Sequence, residues 1–477
     1  GTGVDGWSWE GDGTINLVGT GTKAVSSVSA PSAGHVLGFA MDLDNGNVYF
    51  YLNGTAQNSG GAVITGVAAL KTNPMAGVYN SSAVTFNFGQ DSSFAGTNTA
   101  QGNADSNGVG DFHYSPPSGY LAMCTANLPN PAIDPAEDEE PADYFNTVLY
   151  TGTGSAPLAI TGVGFQPDWV WLKRRNAVSN HHLFDSVRGT GKILQSSTTD
   201  AEIPGSNNLD SFDSDGFTLN ATGADNPAEN NSGDTYVSWN WLAGGSASSN
   251  GNGSITSSVS ANTEAGFSIV SYTGNGSAGA TVGHGLASAP ELFITKRRSQ
   301  TDPWQTYVAS LGATKRLELD ATSAAITSSA SFNNTEPNSS VFTLGSGGYG
   351  NASSATYIAY CFHSVDGYSR VGTFTGNGSA DGAFVYTGFR PAWILIKNVI
   401  DAEFWTLIDN KRLGYNETNS ILSPNSSTTE YSAGGGGVDI LSNGFKLRGT
   451  SNNFNGSGDS HIYLSFAEQP FKYSNAR

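Results

Sequence analysis

Cysteine is nearly absent. Cys124 and Cys361 are the only two in 477 residues, and they fall in different predicted domains, so no disulfide framework carries the fold. Positive charge is scarce as well: 21 Lys and Arg against 40 Asp and Glu give a formal charge of −19. Nucleic-acid binding needs the opposite balance, because lysine and arginine must displace the counterions of the phosphates. An anionic membrane surface is disfavoured for the same reason. No run of roughly 18 apolar residues and no basic-then-apolar leader occurs, so neither a membrane span nor a signal peptide is expected. The chain opens at Gly1 without methionine, which leaves open a leader or anchor upstream. GxSxG, HExxH, P-loop and CxxC patterns are all missing; each carries a recognisable chemistry. The expectation is a non-enzymatic chain with no cofactor and no metal, although a glycosidase needs only two well-placed acids.

What is present points to β structure. Sixty-one glycines (Gly 61), abundant Ser, Thr and Asn, and only 13% charged residues favour turns over helix interiors, while 11% aromatics supply a core that a disordered chain lacks. The length exceeds the roughly 250–300 residues that one core serves. An all-β protein of several domains is expected.

One phrase occurs three times. It reads YTGTGSAPLAITGVGFQPDWVWLK from Tyr150 to Lys173, YTGNGSAGATVGHGLASAPELFITK from Tyr272 to Lys296 and FTGNGSADGAFVYTGFRPAWILIK from Phe374 to Lys397. In each, an apolar strand follows a proline and ends in lysine. Trp169, Trp171 and Lys173 alternate with Val170 and Leu172, so both faces are apolar, as in a central strand between layers. Each unit continues through GFTL, VFTL or GFKL (Gly216–Leu219, Val341–Leu344, Gly444–Leu447) and closes on an aromatic strand starting at Tyr236, Tyr357 or Ile462. Three related β-sandwiches in tandem are expected, at 142–243, 244–369 and 370–477. The first spacing is 122 residues and the second 102, and the surplus holds GGSASSNGNGS, a flexible linker by composition. The second and third units should therefore pack more rigidly together. Ahead of the repeats, Asn127–Pro141 holds prolines and an acidic run and reads as a solvated spacer.

In the first section, Val36–Leu43 alternates with its apolar side on the odd positions, Asn45-Gly46 suits a type I′ turn, and Val48–Leu52 returns as a second strand. Ala83–Phe88 reads as a third. The phrases HVLGFAMDLDNGNVYFYLNG, VTFNFGQ and YSPPSGY resemble the SPRY domain over about residues 30–126, so that 1–126 reads as a partial member. The resemblance implies a concanavalin-like β-sandwich that binds partners through loops and has no shared catalytic centre. Farther on, GVGFQPDWVWLKRR with LFDSVRG, TVGHGLASAPELFITKRR and YLSFAEQPFKYSNAR resemble repeats in virion proteins of tailed bacteriophages, where they follow SPRY-like domains. That resemblance implies a virion surface protein, a tail fibre or appendage subunit, with other virion subunits as partners and homotrimers as the usual assembly.

Candidate site residues are few, and each has a plainer alternative. Asp185 and Arg188 recur as Asp409 and Arg412, with no counterpart near Ser310–Lys315; they suit either a grip on a sugar carboxylate or an ion pair that fixes a loop. Trp304 and Trp405 could stack on sugar rings, yet their equivalent repeat positions suit core residues. His284, flanked by glycines, is a candidate ligand or a packed loop residue. Adjacent His181 and His182 point to opposite faces of a strand. The Asp42/Asp44 and Asp213/Asp215 pairs could hold calcium or act as a glycosidase pair, but Asp and Gly are also what turns require. Three readings of function follow: a virion protein that binds host-surface glycan or protein through sandwich loops, a purely structural virion protein, and a glycan depolymerase. Contacts are expected where the copies differ, in Arg175–Leu183, Ser299–Gln305 and Val399–Glu403.

Overall fold

The computed structural model describes residues 4–19, 22–23, 28–67, 83–204, 208–220, 227–432 and 436–474. The chain is all-β and divides into two compact bodies, 1–129 and 130–477. Among the described residues no helix is long and apolar enough to cross a membrane.

In the first body, strands Leu37–Asp42 and Asn47–Leu52 pair antiparallel with Asp42 opposite Asn47. The join is therefore a four-residue loop and not a two-residue type I′ turn. Within it only Gly46 has a positive φ, 67°, and the Asp42 carboxylate accepts from the Asn45 N–H at 3.0 Å and its Nδ2 at 2.8 Å. On the odd side Phe39 lies across from Phe50 and both meet the Trp7 and Trp9 rings, but Leu37 and Leu43 are exposed and the buried residue of the strand is Ala40, on the even side. Leu37–Asp42 is an edge strand, so Phe39 stays half open. Among the described residues Ala83–Phe88 pairs with no strand, and Val84, Phe86 and Phe88 are exposed. Alternation specifies a strand only where a neighbour supplies its ladder of hydrogen bonds.

The second body begins inside the stretch read as a spacer. Ile133 is buried, the Ala132 N–H donates to Asp366 O at 3.2 Å, and Asp134 accepts from the Ala136 N–H at 3.0 Å and the Tyr473 hydroxyl at 2.6 Å. Composition reports the charge of this segment but not the groove its few apolar side chains fill.

The three repeats share one pairing scheme, antiparallel throughout. In each, the central strand of the repeated phrase lies between the closing strand and the strand that follows it in sequence; Pro167 and Pro290 precede theirs, whereas Pro391 lies inside its strand, at an irregularity opposite Ala467. Trp169–Arg174 lies between Thr235–Trp241 and His182–Asp185, Leu292–Arg297 between Thr356–Phe362 and Gln305–Val308, and Phe389–Asn398 between Ser460–Pro470 and Thr406–Asp409. A smaller sheet covers one face of each. In the first repeat Val170 and Leu172 pack there on Ile160, Phe217 and Leu219, and corresponding cores serve the other two.

The opposite faces meet one another. Trp169, Trp171, Trp239 and Trp241 of the first repeat, Leu292, Ile294, Trp304, Tyr360 and Phe362 of the second, and Trp393, Leu395, Trp405, Leu464 and Phe466 of the third form a single shared core. Three equivalent backbone hydrogen bonds tie the repeats together: Glu202 N–H to Arg298 O at 2.9 Å, Ala325 N–H to Val399 O at 3.0 Å and Glu430 N–H to Arg175 O at 2.8 Å. The first joins repeat one to two, the second two to three, and the third three back to one. A head-to-tail contact that returns to its start is a closed ring, here with a pseudo-threefold axis and built from one chain. The tandem units thus close on one another, and no pair of them is privileged by a short join. The GGSASSNGNGS segment is not a tether either, since Ser248–Asn250 adds an edge strand to Ser257–Asn262.

Candidate functional site

The repeated TGxGS turn is scaffold. In each repeat a fully buried asparagine, five residues ahead of the closing strand, holds it. Asn230 Oδ1 accepts from the Thr153 N–H at 2.8 Å while its Nδ2 donates to Ser155 O at 2.8 Å. Asn351 does the same for Asn275 (2.9 Å) and Ser277 (2.8 Å), and Asn455 for Asn377 (2.9 Å) and Ser379 (2.9 Å). Sequence reading missed these residues, although a signal was there: each begins an Asn-x-Ser triplet at the same distance from its strand.

The five candidate residues read from sequence lie inside the fold and are not brought to one place. Trp304 and Trp405 are fully buried in the shared core, and their indole N–H groups donate across to the preceding repeat, to Gln195 O and Glu318 O, each at 2.9 Å. His181 holds the corresponding position of the first repeat and accepts from Trp171 Nε1 at 2.9 Å; burial keeps its pKa well below the usual histidine range. Asp185 and Arg188 are buried, with Arg188 Nη2 donating to Leu183 O at 2.9 Å. His284 is buried and satisfied: its Nδ1 accepts from the Leu286 N–H at 3.1 Å and its Nε2 donates to Asn338 O at 3.0 Å. No solvent-borne ligand reaches any of these side chains in this arrangement.

The carboxylate pairs belong to turns. Asp213 accepts from the Ser211 and Thr218 hydroxyls at 2.6 and 2.7 Å, and Asp215 from the Gly162 and Gly164 N–H groups at 3.1 and 2.7 Å. Gly216 completes the turn at φ 134°, where a Cβ would come within 2.0 Å of Ile160 O. Among the described residues no group of three or more His, Cys, Asp or Glu side chains is placed to hold a metal ion.

What faces solvent is the set of loops that follows the three central strands. The strands are equivalent within the ring, so all three loops leave at the same end of the axis. Their bases are pinned. Arg175 grips Glu430 with Nε and Nη2 at 2.9 and 3.0 Å, Arg298 grips Glu202 at 2.8 and 3.0 Å, and in the third loop Asn398 Oδ1 accepts from the Ile400 and Asp401 N–H groups at 2.9 and 3.1 Å. Beneath each loop sits a buried lysine. Lys296 Nζ donates to Thr199 O at 2.7 Å and Lys397 Nζ to Thr322 O at 3.1 Å, both in the preceding repeat, while Lys173 Nζ donates to Arg174 O at 2.7 Å. Burial brings all three ammonium groups down to about 8.

The loop tips are open and differ in chemistry. The first exposes Val178 (68%), the second the polar run Ser299–Thr301, and the third Ile400 (57%), Asp401 and Phe404 (43%). The arginines at the loop bases are spent in ion pairs, Arg174 with Asp234, Arg297 with Asp302, and Arg175 and Arg298 as above. Apolar, amide and hydroxyl groups and the Asp401 carboxylate are what remain for contact.

No curated protein matches the chain. A family described as a domain of unknown function (DUF7483) matches residues 140–470. The match ends on the last residue of the closing strand Ser460–Pro470 and takes in all three repeats, so the family unit is the ring and not the single sandwich. The chain belongs to the DUF7483 family.

Proposed function

We propose that the chain is a non-enzymatic virion surface protein, a tail fibre or appendage subunit, that uses the ring as a rigid mount for three unlike loops directed at a host-surface glycan or protein. The observation that carries this reading is the division of labour within the repeat. Strands, prolines, asparagines and lysines are repeated and buried, whereas Val178, Ser299–Thr301, Ile400 and Phe404 are exposed and differ between copies. Rigid scaffolds with variable loops are a general solution to recognition, and exposed apolar and aromatic groups beside amides and hydroxyls suit sugar rings and protein surfaces alike. The test is adsorption of purified full-length chain to host cells and to their extracted envelope polysaccharide. Phe404→Ser combined with Ile400→Ser should lower binding at least about tenfold, the scale of one lost anchor residue, with the thermal midpoint unchanged. Binding that survives this change and Val178→Ser together would remove the loops from the reading. A chain that fails to bind cells at all, and is located within the capsid or tube wall of the particle by microscopy, would be a structural subunit instead.

A further inference from the structure

The three seams of the ring occupy equivalent positions but are chemically unlike. At the first seam the buried Asp185–Arg188 pair of repeat one meets repeat two: the Tyr360 hydroxyl donates to Asp185 Oδ2 at 2.7 Å, and Glu202 bridges Arg188 at 3.2 Å and Arg298 at 2.8 Å. The third seam repeats this design with other residues. Trp239 Nε1 of repeat one donates to Asp409 Oδ2 of repeat three at 3.0 Å, and Glu430 bridges Arg412 at 3.2 Å and Arg175 at 2.9 Å. Strand register places Val308 of the second repeat where Asp185 and Asp409 stand, and Leu464 of the third where Tyr360 and Trp239 stand. Leu311 takes the place of the arginine, Ala325 that of the glutamate and Val399 that of Arg298. At these five positions the second seam is therefore apolar where the other two are polar, although it keeps the indole and ammonium contacts of Trp405 and Lys397 to the preceding repeat.

We infer that these side chains form an address that fixes the cyclic order of the repeats around the ring. Homologous neighbours are prone to pair wrongly, within a chain or between copies. In the reversed order Asp185 would face Leu464, the Trp239 N–H would face Val308, Glu202 would face Val399 and Arg175 would face Ala325. Two buried groups, Asp185 and the Trp239 N–H, and two partly buried ones, Glu202 and Arg175, would each lose a partner, at the cost of their desolvation. Only the seam that would bring Asp409 to Tyr360 and Glu430 to Arg298 would still match. The correct order satisfies all three seams, so discrimination comes from penalties on the wrong pairings as much as from attraction in the right ones.

The test is to rewrite the first seam of the full chain in the language of the second. Asp185→Val with Arg188→Leu, measured by denaturant unfolding, should lower the folding constant on the order of a hundredfold, because Tyr360 loses its acceptor. Adding Tyr360→Leu should return about tenfold or more, since partners in one network do not act additively. A Tyr360→Leu cost that simply adds to the first would overturn the address. Should the rewritten chains fail to fold, the milder cycle of Tyr360→Phe and Asp185→Asn reads the same coupling. A coupling above about threefold in the folding constant supports the inference, and a smaller one overturns it.

Discussion

The two bodies solve the same problem with unequal completeness. Each is built from antiparallel sheet with an apolar face, but the first buries a small cluster around Ile15, Val48, Phe50 and Ile64 and leaves Phe39, Val84, Phe86 and Met123 exposed. In the second, seven tryptophans from Trp169 to Trp405 are at most 1% exposed, and the large apolar residues left in solvent lie in loops or at sheet edges, such as Val178, Ile400 and Tyr415. The difference is closure. A sandwich repeated three times around an axis covers the second face of each large sheet with the other two copies, whereas a sheet without such partners keeps an open edge.

The comparison is broken most directly at the axis. Trp393→Ala should cost about 3–5 kcal/mol and, because the core is shared, should shift all three repeats in one denaturant transition. Separate transitions, followed by hydrogen exchange in each repeat, would show three independent sandwiches. Next in size, Arg412→Leu leaves Asp409 and Glu430 without their buried partner and should cost about 3 kcal/mol, read from the urea midpoint at unchanged slope. Asn351→Ala frees the turn around Asn275–Ser277 and should cost about 1–3 kcal/mol, with new protease cleavage confined to that turn.

A pH scan sharpens the same contrast. Lys173, Lys296 and Lys397 titrate near 8 when folded and at 10.5 when unfolded. Between those values the unfolded chain binds more protons, so unfolding free energy rises with pH. Above pH 10 the trend reverses, because burial raises the pKa of Tyr150, Tyr272, Tyr360 and Tyr368 while their unfolded counterparts ionise. The second body should have a higher thermal midpoint at pH 9.5 than at pH 7.5, and Lys296→Met with Lys397→Met should flatten the rise. The smallest effect belongs to the first body: Phe86→Ser at its exposed position should change stability by no more than about 0.5 kcal/mol, and a large loss there would mean that this segment is covered.

Much of the fold was legible from local pattern. The all-β class, the repeat itself, and a central strand apolar on both faces followed from alternation, entrance prolines and glycine-rich turns around residues such as Pro167 and Trp169. The equivalence of Trp304 and Trp405 was also visible, and core burial was the plainer of the two readings offered for them. Pattern failed where the partner lies far away in sequence. Ala83–Phe88 has the alternation of a strand but pairs with none among the described residues, and Asn127–Pro141 has the composition of a spacer but is docked through Ile133.

The sequence by itself determined that each repeat would form a strand with two apolar faces, since alternation and turn chemistry are properties of a few neighbouring residues. Only the tertiary structure decided what covers the second face. An apolar side chain is drawn out of water by area and carries no record of its partner, so the three sandwiches could equally have been separate. Their closure into one ring rests on contacts between residues as far apart as Arg175 and Glu430, and the loops that the ring carries to one end of its axis share that end for the same reason.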